Sequence, residues 1–560
     1  MCGIWSLVNK SDIDVKKYLN DFWNLQNRGP DNSHLETFSN VYVGFHRLAI
    51  MDTSFNSNQP YVIHDKNRTI VFTCNGEIYN YKDLDKEYNL NVDTSDCLVI
   101  PKLYIHYSNS NKLNEFFKLF NYKIKGEFAF TLYVFDEMTK LSNYIVGRDH
   151  VGVRPLYCCK ENNNIDMYSS ELKGMIEYQD EVMEFPPGTL KIVSNNGFNY
   201  NSYYLKYTDI YNTNIKFMKS FIMSEEENML SSIRDSVINS VKRRLVSHRP
   251  IAFLLSGGVD SSLVAAISAK LIGQPIRTFC CGMKGSTDMK YAKMVADHIG
   301  SNHTEVYFTE KEGIEALNDV IYTTETWDTT TIRASVGQYL VSKHIGTKTD
   351  CRVVMVGEGP DEVCSSYLFN YYAPNSNALD SCSKDFVKNI HMYDGRRADR
   401  CVSRWGLEAR VPFLDPEFIR TYWGIDAELR KPGKNLTEKH WLRKAFDGLN
   451  LLPNEILWRK KEAFSDGVSS EEKSWYSILQ DHVEKVYNDD LDSYQCLHQI
   501  DLKHQPKTKE ASYYKKIFIN KFGVNREEII PNYWQPKWDK DGNETTKYVD
   551  PSARTLEVYN

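Results

Sequence analysis

The sequence predicts two joined domains: an α+β domain rich in sheet, followed by an α/β domain with a parallel sheet and many helices. At 560 residues the chain is several times the usual domain size, so at least two independently cored domains are expected. Up to about residue 205, runs such as Val41 to Phe45, Thr69 to Cys74 and Phe128 to Phe135 are punctuated by Gly, Asn and Asp, the pattern of short strands and turns. From Ile251 strand-like runs alternate with helical ones, the pattern of a parallel sheet.

The elements follow in chain order. Ile233, Val237, Val241 and Leu245 recur at helical spacing and predict a helix with one apolar face. Ile251 to Leu255 reads as a buried strand, followed by a glycine turn and a helix around Leu263 to Leu271. Ile276 to Met283 and Thr304 to Phe308 read as further strands, with Met289, Ala292, Val295, Ala296 and Ile299 on one helical face between them. Beyond Asp361 the chain is mostly helical. The Tyr- and Asn-rich stretch between about 205 and 225 shows no periodicity, so the domains are set at 2–205 and 220–540, with 541–560 as a C-terminal tail.

Composition narrows the function classes. Charged residues make up 25% and hydrophobic residues 41%, ordinary for a chain that buries a core. A net charge of -6 with both signs interspersed offers no basic footprint, so neither nucleic acid nor membrane is an expected partner. No run approaches the ~18 apolar residues of a membrane span, and no leader pattern opens the chain; a soluble cytoplasmic protein is expected. The 12 cysteines include the adjacent pairs Cys158-Cys159 and Cys280-Cys281 but no CxxC pair, which suggests neither a disulfide framework nor a zinc site.

Cys2, followed by Gly3, is the first chemical signal. Its side chain is small enough for Met1 to be removed, which would leave a thiol and a free α-amine on one residue. An α-amine with a pKa of about 7.7 to 8.0 can act as a base beside its own thiol. Alone, such a cysteine is more often a small apolar starter. Here Arg28-Gly29-Pro30-Asp31, Gly44-Phe45-His46-Arg47-Leu48-Ala49-Ile50, Asn75-Gly76-Glu77-Ile78-Tyr79-Asn80, Val146-Gly147-Arg148-Asp149 and Gly152-Val153-Arg154-Pro155-Leu156 follow in order. Singly, Arg47 reads as a surface ion pair, Asn75-Gly76 as a hairpin turn and Asp96 as a helix cap.

Together these runs resemble the N-terminal-nucleophile glutaminase domain of class II glutamine amidotransferases, over most of residues 2 to 190. The resemblance implies an αββα sandwich with glutamine as substrate and Cys2 as the residue acylated. A guanidinium suits the glutamine carboxylate and carboxylates suit its ammonium. By the family pattern Arg47 takes the first, Glu77 and Asp96 the second, and Leu48, Ala49, Ile50 and Met51 complete the pocket. Asn75 and the Gly76 N–H would form the oxyanion hole. His150-Val151 departs from relatives that often carry an aromatic before Gly152.

The strongest motif is Ser256-Gly257-Gly258-Val259-Asp260-Ser261-Ser262, directly after the strand Ile251 to Leu255. Two glycines allow close backbone approach, hydroxyls and N–H groups donate, and a helix start adds positive potential, so a pyrophosphate is stabilised there. Ser-Gly-Gly by itself is usually a flexible turn. A second cluster, Gly357-Glu358-Gly359-Pro360-Asp361-Glu362, follows the strand-like Val353 to Val356 and is expected at a strand's carboxyl end, where open α/β sheets bind ligands; on its own it reads as an acidic turn.

With Thr330-Thr331-Ile332-Arg333-Ala334-Ser335, Arg459-Lys460-Lys461-Glu462-Ala463-Phe464-Ser465-Asp466-Gly467 and the ending Asp550-Pro551-Ser552-Ala553-Arg554, these motifs resemble the synthetase domain of asparagine synthetases of the eukaryotic type, a PP-loop ATP pyrophosphatase fold. The resemblance implies ATP and Mg²⁺. Leu255, Cys281, Val356 and Gly357 would flank the adenine and ribose; Ser256, Gly257, Gly258, Ser261 and Ser262 would line the phosphate loop. Asp260 and Asp361 would serve the metal and phosphates, and Lys461 would meet the leaving pyrophosphate. Thr330, Thr331 and Arg333 would help hold aspartate, and Glu358 would accept a proton from attacking ammonia. Pro360 replaces the serine usual in the acidic loop and removes an N–H that a phosphate could use.

The mechanism implied is hydrolysis of glutamine at Cys2 and passage of NH₃ through a dry, apolar route to an aspartyl adenylate, giving asparagine, AMP, pyrophosphate and glutamate. Its partners are glutamine, aspartate and ATP, and a homodimer stays open as the assembly. Two other readings stay open: an amidotransferase of the same architecture acting on a different carboxylate, and a glutamine or nucleotide sensor that kept the fold and lost the chemistry.

Overall fold

The computed structural model describes residues 1–560 apart from 137–139, 161–163, 196–198, 434–435, 462–463, 470–472, 488–504, 532 and 546–560. Glu462, Ala463 and the ending Asp550-Pro551-Ser552-Ala553-Arg554 lie outside the described residues, as does most of the expected tail. Two compact units form: Met1–Tyr211 with Val246–Arg249 and Ser403–Glu408, and Asn212–Leu245 with Pro250–Val402 and Ala409–Asn560. The two short returns to the first unit carry no mark in composition or periodicity.

The first unit holds two six-stranded sheets. One takes the order β10 (Val182–Glu184), β8 (Tyr157–Cys159), β9 (Ile165–Ser169), β1 (Gly3–Asn9), β3 (Val41–Arg47), β2 (Asn32–Phe38). The other runs β12 (Tyr200–Lys206), β11 (Thr189–Asn195), β7 (Leu141–Arg148), β6 (Gly126–Phe135), β5 (Arg68–Ile78), β4 (Tyr61–Asp65). Alternation along the strands gives each sheet an apolar face, and Val8, Val41 and Val43 of the first sheet share a core with Val71, Tyr133 and Val146 of the second. On the far face of the second sheet, helices Val99–Asn109 and Leu113–Tyr122 bury Leu103, Phe116 and Phe120 with Phe72 and Phe130. Each such side chain contributes about 1.5–3 kcal/mol by leaving water. The far face of the first sheet is covered by a 3-10 helix, Asn20–Arg28, whose Phe22 stacks on His46 with ring centroids 4.0 Å apart. The αββα order is present, with this 3-10 helix forming most of one outer layer.

In the second unit β13 (Ile251–Leu254), β14 (Arg277–Gly282), β15 (Asn302–Tyr307) and β16 (Val353–Met355) pair in parallel in the order β15-β14-β13-β16, with β17 (Glu408–Arg410) beyond β16. The chain moves outward from β13 to β15 and then returns to the other side of β13. That reversal opens a crevice at the carboxyl ends of β13 and β16, where open α/β sheets take their ligands. The loops after these two strands are Ser256 to Gly258 and Gly357 to Gly359. Helices dominate the rest, the longest being Ile222–Arg244 and Thr329–Lys348. No helix among the described residues is long and apolar enough to cross a membrane.

Candidate active sites

Pairing of β1 with β3, with Gly3 opposite His46, brings Cys2 to the turn that follows Arg47. The Leu48 N–H donates to Cys2 Sγ at 3.4 Å. The Cys2 N–H donates to Asn75 Oδ1 at 3.1 Å, while Nδ2 of the same amide is buried with no hydrogen-bond partner. A buried donor left this way is one a ligand oxygen would satisfy. Burial pushes the Cys2 thiol up to about 11. Met1 is buried, its terminal nitrogen donating to Leu407 O at 2.8 Å.

Asn75, Gly76 and Glu77 sit inside β5, opposite Ala129, Phe128 and Glu127 of β6, not in a hairpin turn. A Cβ on Gly76 would lie 2.2 Å from Glu127 O, so the strand passes too close for any other residue. Arg47 is buried and its guanidinium donates to Ser54 O at 2.7 Å, Asn58 Oδ1 at 2.8 Å and Asp52 O, which fixes its direction. Asp96 and Glu77 are both buried, and Asp96 accepts the Ile78 N–H at 2.6 Å. Leu48, Ala49, Ile50 and Met51 are buried around the same turn.

The other runs of the resemblance are scaffold. Arg28 donates to Cys2 O at 2.7 Å and Asp31 accepts the Ala49 N–H at 2.8 Å, so both set the backbone around the thiol. Asp149 accepts the Val153 and Arg154 N–H groups at 2.9 Å each, and Arg148 donates to Arg154 O and Phe185 O. His150 is held by Thr208 Oγ1 at 2.8 Å.

In the second unit Ser256 to Gly258 turns from β13 into the helix Val259–Ile272. Gly257 has φ +74° and a Cβ there would lie 2.4 Å from Tyr291 Cβ, so conformation and space both demand glycine. Ser261 Oγ accepts the Ser256 N–H at 3.1 Å, and Ser256 Oγ accepts the Gly258 N–H at 3.3 Å. A pocket is lined by Leu255, Ser256, Gly258, Asp260, Ser261 and Cys281 together with Gly357, Glu358 and Asp361. Gly257, Ser262 and Val356 are not among its lining residues. Pro360 opens the short helix Pro360–Val363 at its first position, where a missing N–H leaves no helical bond unmade.

Burial pushes Asp361 upward, but Lys439 and Lys461 outweigh it and hold the carboxyl well below the usual range. Burial also raises Glu358, whose carboxylate accepts from Gln338 Nε2 at 3.2 Å and lies 3.6 Å from the Arg397 guanidinium. No group of three or more His, Cys, Asp or Glu side chains among the described residues could hold a metal. Asp260 and Asp361 nevertheless suit Mg²⁺, which is commonly held by one or two carboxylates plus substrate phosphates, and Asp260 Oδ1 is buried without a hydrogen-bond partner.

Thr330, Thr331 and Arg333 begin the helix Thr329–Lys348 and do not line this pocket. Asp328 caps this helix, its Oδ2 accepting from Thr331 N and Oγ1, whereas Thr330 Oγ1 is buried and unpartnered. Arg333 makes a two-pronged bond to Glu510, Nε to Oε1 at 2.9 Å and Nη2 to Oε2 at 2.7 Å, with both side chains buried. Removing one partner of such a pair costs about 3–5 kcal/mol. Arg333→Ala is expected to lower unfolding stability by that amount, measured in urea; unchanged stability with a raised KM for aspartate would instead mean direct substrate contact.

Gln338, Asp394 and Arg397 line the same pocket, and Lys439 bridges its carboxylates. The sequence offered no signal for these four: Asp394, Arg397 and Lys439 lie among other charged residues, and Gln338 sits in a helix with no motif of its own.

A family model described as "Glutamine amidotransferase domain" matches residues 1–210. One described as "Asparagine synthase" matches 232–384 and again 373–541. Relatives named "Asparagine synthetase [glutamine-hydrolyzing]" include one from Gallus gallus, 38% identical over 586 residues, and one from Homo sapiens, 37% identical over 581. Each comparison covers 100% of this chain and 99% of the relative. With both models matched in order and the likeness running from end to end, the chain belongs to the family of glutamine-hydrolysing asparagine synthetases.

Proposed function

We propose that the residues above divide the family's reaction between two centres. The enzyme is an ATP-dependent ligase that takes nitrogen from glutamine and places it on aspartate, giving asparagine, AMP, pyrophosphate and glutamate. In the first centre, loss of Met1 frees the Cys2 amine as a base for its own thiol. Arg47 binds the glutamine carboxylate, Glu77 and Asp96 its ammonium, and Leu48 to Met51 its chain. Asn75 Nδ2 and the Gly76 N–H stabilise the oxyanion as Cys2 is acylated and ammonia leaves.

In the second centre the Ser256 to Ser262 loop cradles the phosphates, with Leu255, Cys281, Val356 and Gly357 beside the nucleoside. Lys461 stabilises the departing pyrophosphate. Mg²⁺, held by Asp260 and Asp361, would neutralise phosphate charge when bound. Adenylation replaces a poor leaving group on the aspartate β-carboxyl with AMP, and Glu358, made more basic by burial, takes the proton from attacking ammonia. Thr330 helps hold aspartate, and Arg333 ties the same helix to Glu510.

The observation that weighs most is the unsatisfied Asn75 Nδ2 beside the Cys2 nitrogen. Purified protein given ATP, Mg²⁺, aspartate and glutamine should form asparagine and AMP in equal amounts. Formation of ADP, or hydrolysis of glutamine alone, would sink this reading. Small-molecule substrates and a cytoplasmic site of action belong to the same proposal.

A further inference from the structure

The two carboxylates of the nucleotide pocket converge on one lysine to which the reaction as described gives no role. Lys439 Nζ lies 2.5 Å from Asp260 Oδ2 and 2.5 Å from Asp361 Oδ1. Lys461 pairs with the other oxygen of Asp361. Lys439 is 4% exposed, and its φ of 58° is in the left-handed region, uncommon for a residue other than glycine. Asp260 Oδ1, on the same cluster, is buried and unpartnered. The cluster is thus bridged by one ammonium, flanked by a second, and keeps one buried carboxylate oxygen unmet.

We propose that Lys439 is the resident counter-ion of the metal site: its ammonium holds Asp260 and Asp361 together until nucleotide and metal arrive, and must withdraw before a divalent cation can use both carboxylates. The inference rests on the reading of Asp260 and Asp361 as the metal carboxylates. A dication needs oxygens at about 2.0–2.1 Å, and an ammonium already bonded to those oxygens both fills the space and repels the ion. A lysine suits the task, because its charge is compact and its stem flexible enough to release one partner for another. Phosphate oxygens offer the displaced ammonium a new partner, so nucleotide and metal load together, and either alone binds poorly.

The test is Mn²⁺ binding to the full chain, read from the free-ion electron paramagnetic resonance signal without nucleotide. Lys439→Met is expected to bind Mn²⁺ about tenfold tighter than the wild type, since removing a neighbouring positive charge is worth on the order of one decade. Lys439→Arg should bind as weakly as the wild type. Lys439→Gln repeats the neutral case with a polar side chain, in the event that methionine is not accommodated. Adding the α,β-methylene analogue of ATP should tighten Mn²⁺ binding by the wild type far more than by either neutral variant. Unchanged or weaker binding by the neutral variants overturns the proposal. So does a wild type that binds Mn²⁺ as tightly without the analogue as with it, a result that needs no variant. Asp361→Asn separates the two readings: loss of Mn²⁺ binding in the presence of the analogue upholds the metal site even where the lysine proposal falls, and retention of wild-type binding ends both.

Discussion

Cys2→Ala abolishes asparagine synthesis from glutamine, by a factor of at least about 10³, as expected when the nucleophile of a covalent mechanism is removed. Synthesis from added ammonium continues at close to the wild-type rate. The contrast follows from the separate cores: Cys2 is held by Asn75, Leu48 and Arg28, all within the first unit, while Asp361, Lys461 and Glu358 belong to the second. Parallel assays with the two nitrogen sources check this. Loss of both activities would mean that the thiol also supports the synthetase centre.

Glu358→Ala has the complementary outcome, loss of asparagine formation from either nitrogen source. A positioned general base contributes typically 10²–10⁴-fold, so a fall of about that size is expected with glutaminase activity retained. Glu358 is suited to the role because burial raises its carboxyl while Gln338 and Arg397 keep it oriented. Measuring asparagine and glutamate from one reaction distinguishes the cases: glutamate continuing without asparagine supports the assignment, and unchanged asparagine formation contradicts it.

The architecture was legible in the sequence because two periodicities and two glycine-bearing turns all pointed the same way. Ile251 to Leu255 and the glycines after it gave both a strand and its ligand-facing end, and the structure has that strand at Ile251–Leu254. Asn75-Gly76 was harder, since the pair has strong turn character, yet it lies inside β5; the deciding fact is the approach of Glu127 O, a contact between residues 51 positions apart in the chain that no local pattern reveals. Arg333 and Thr331 carried a substrate motif in the sequence and are found bonded to Glu510 and Asp328. Glu510 lies 177 residues further on, so its pairing was invisible. Lys439 was missed because a buried lysine between carboxylates is indistinguishable in sequence from one in water.

The central step is the passage of nitrogen from the Cys2 centre to the aspartyl adenylate. The direct measurement is synthesis from glutamine labelled with ¹⁵N in the amide, run in the presence of unlabelled ammonium and analysed by mass spectrometry of the asparagine with AMP counted alongside. Asparagine carrying ¹⁵N well in excess of the free ammonium pool is expected, one AMP for each. Asparagine labelled only to the level of that pool would contradict it.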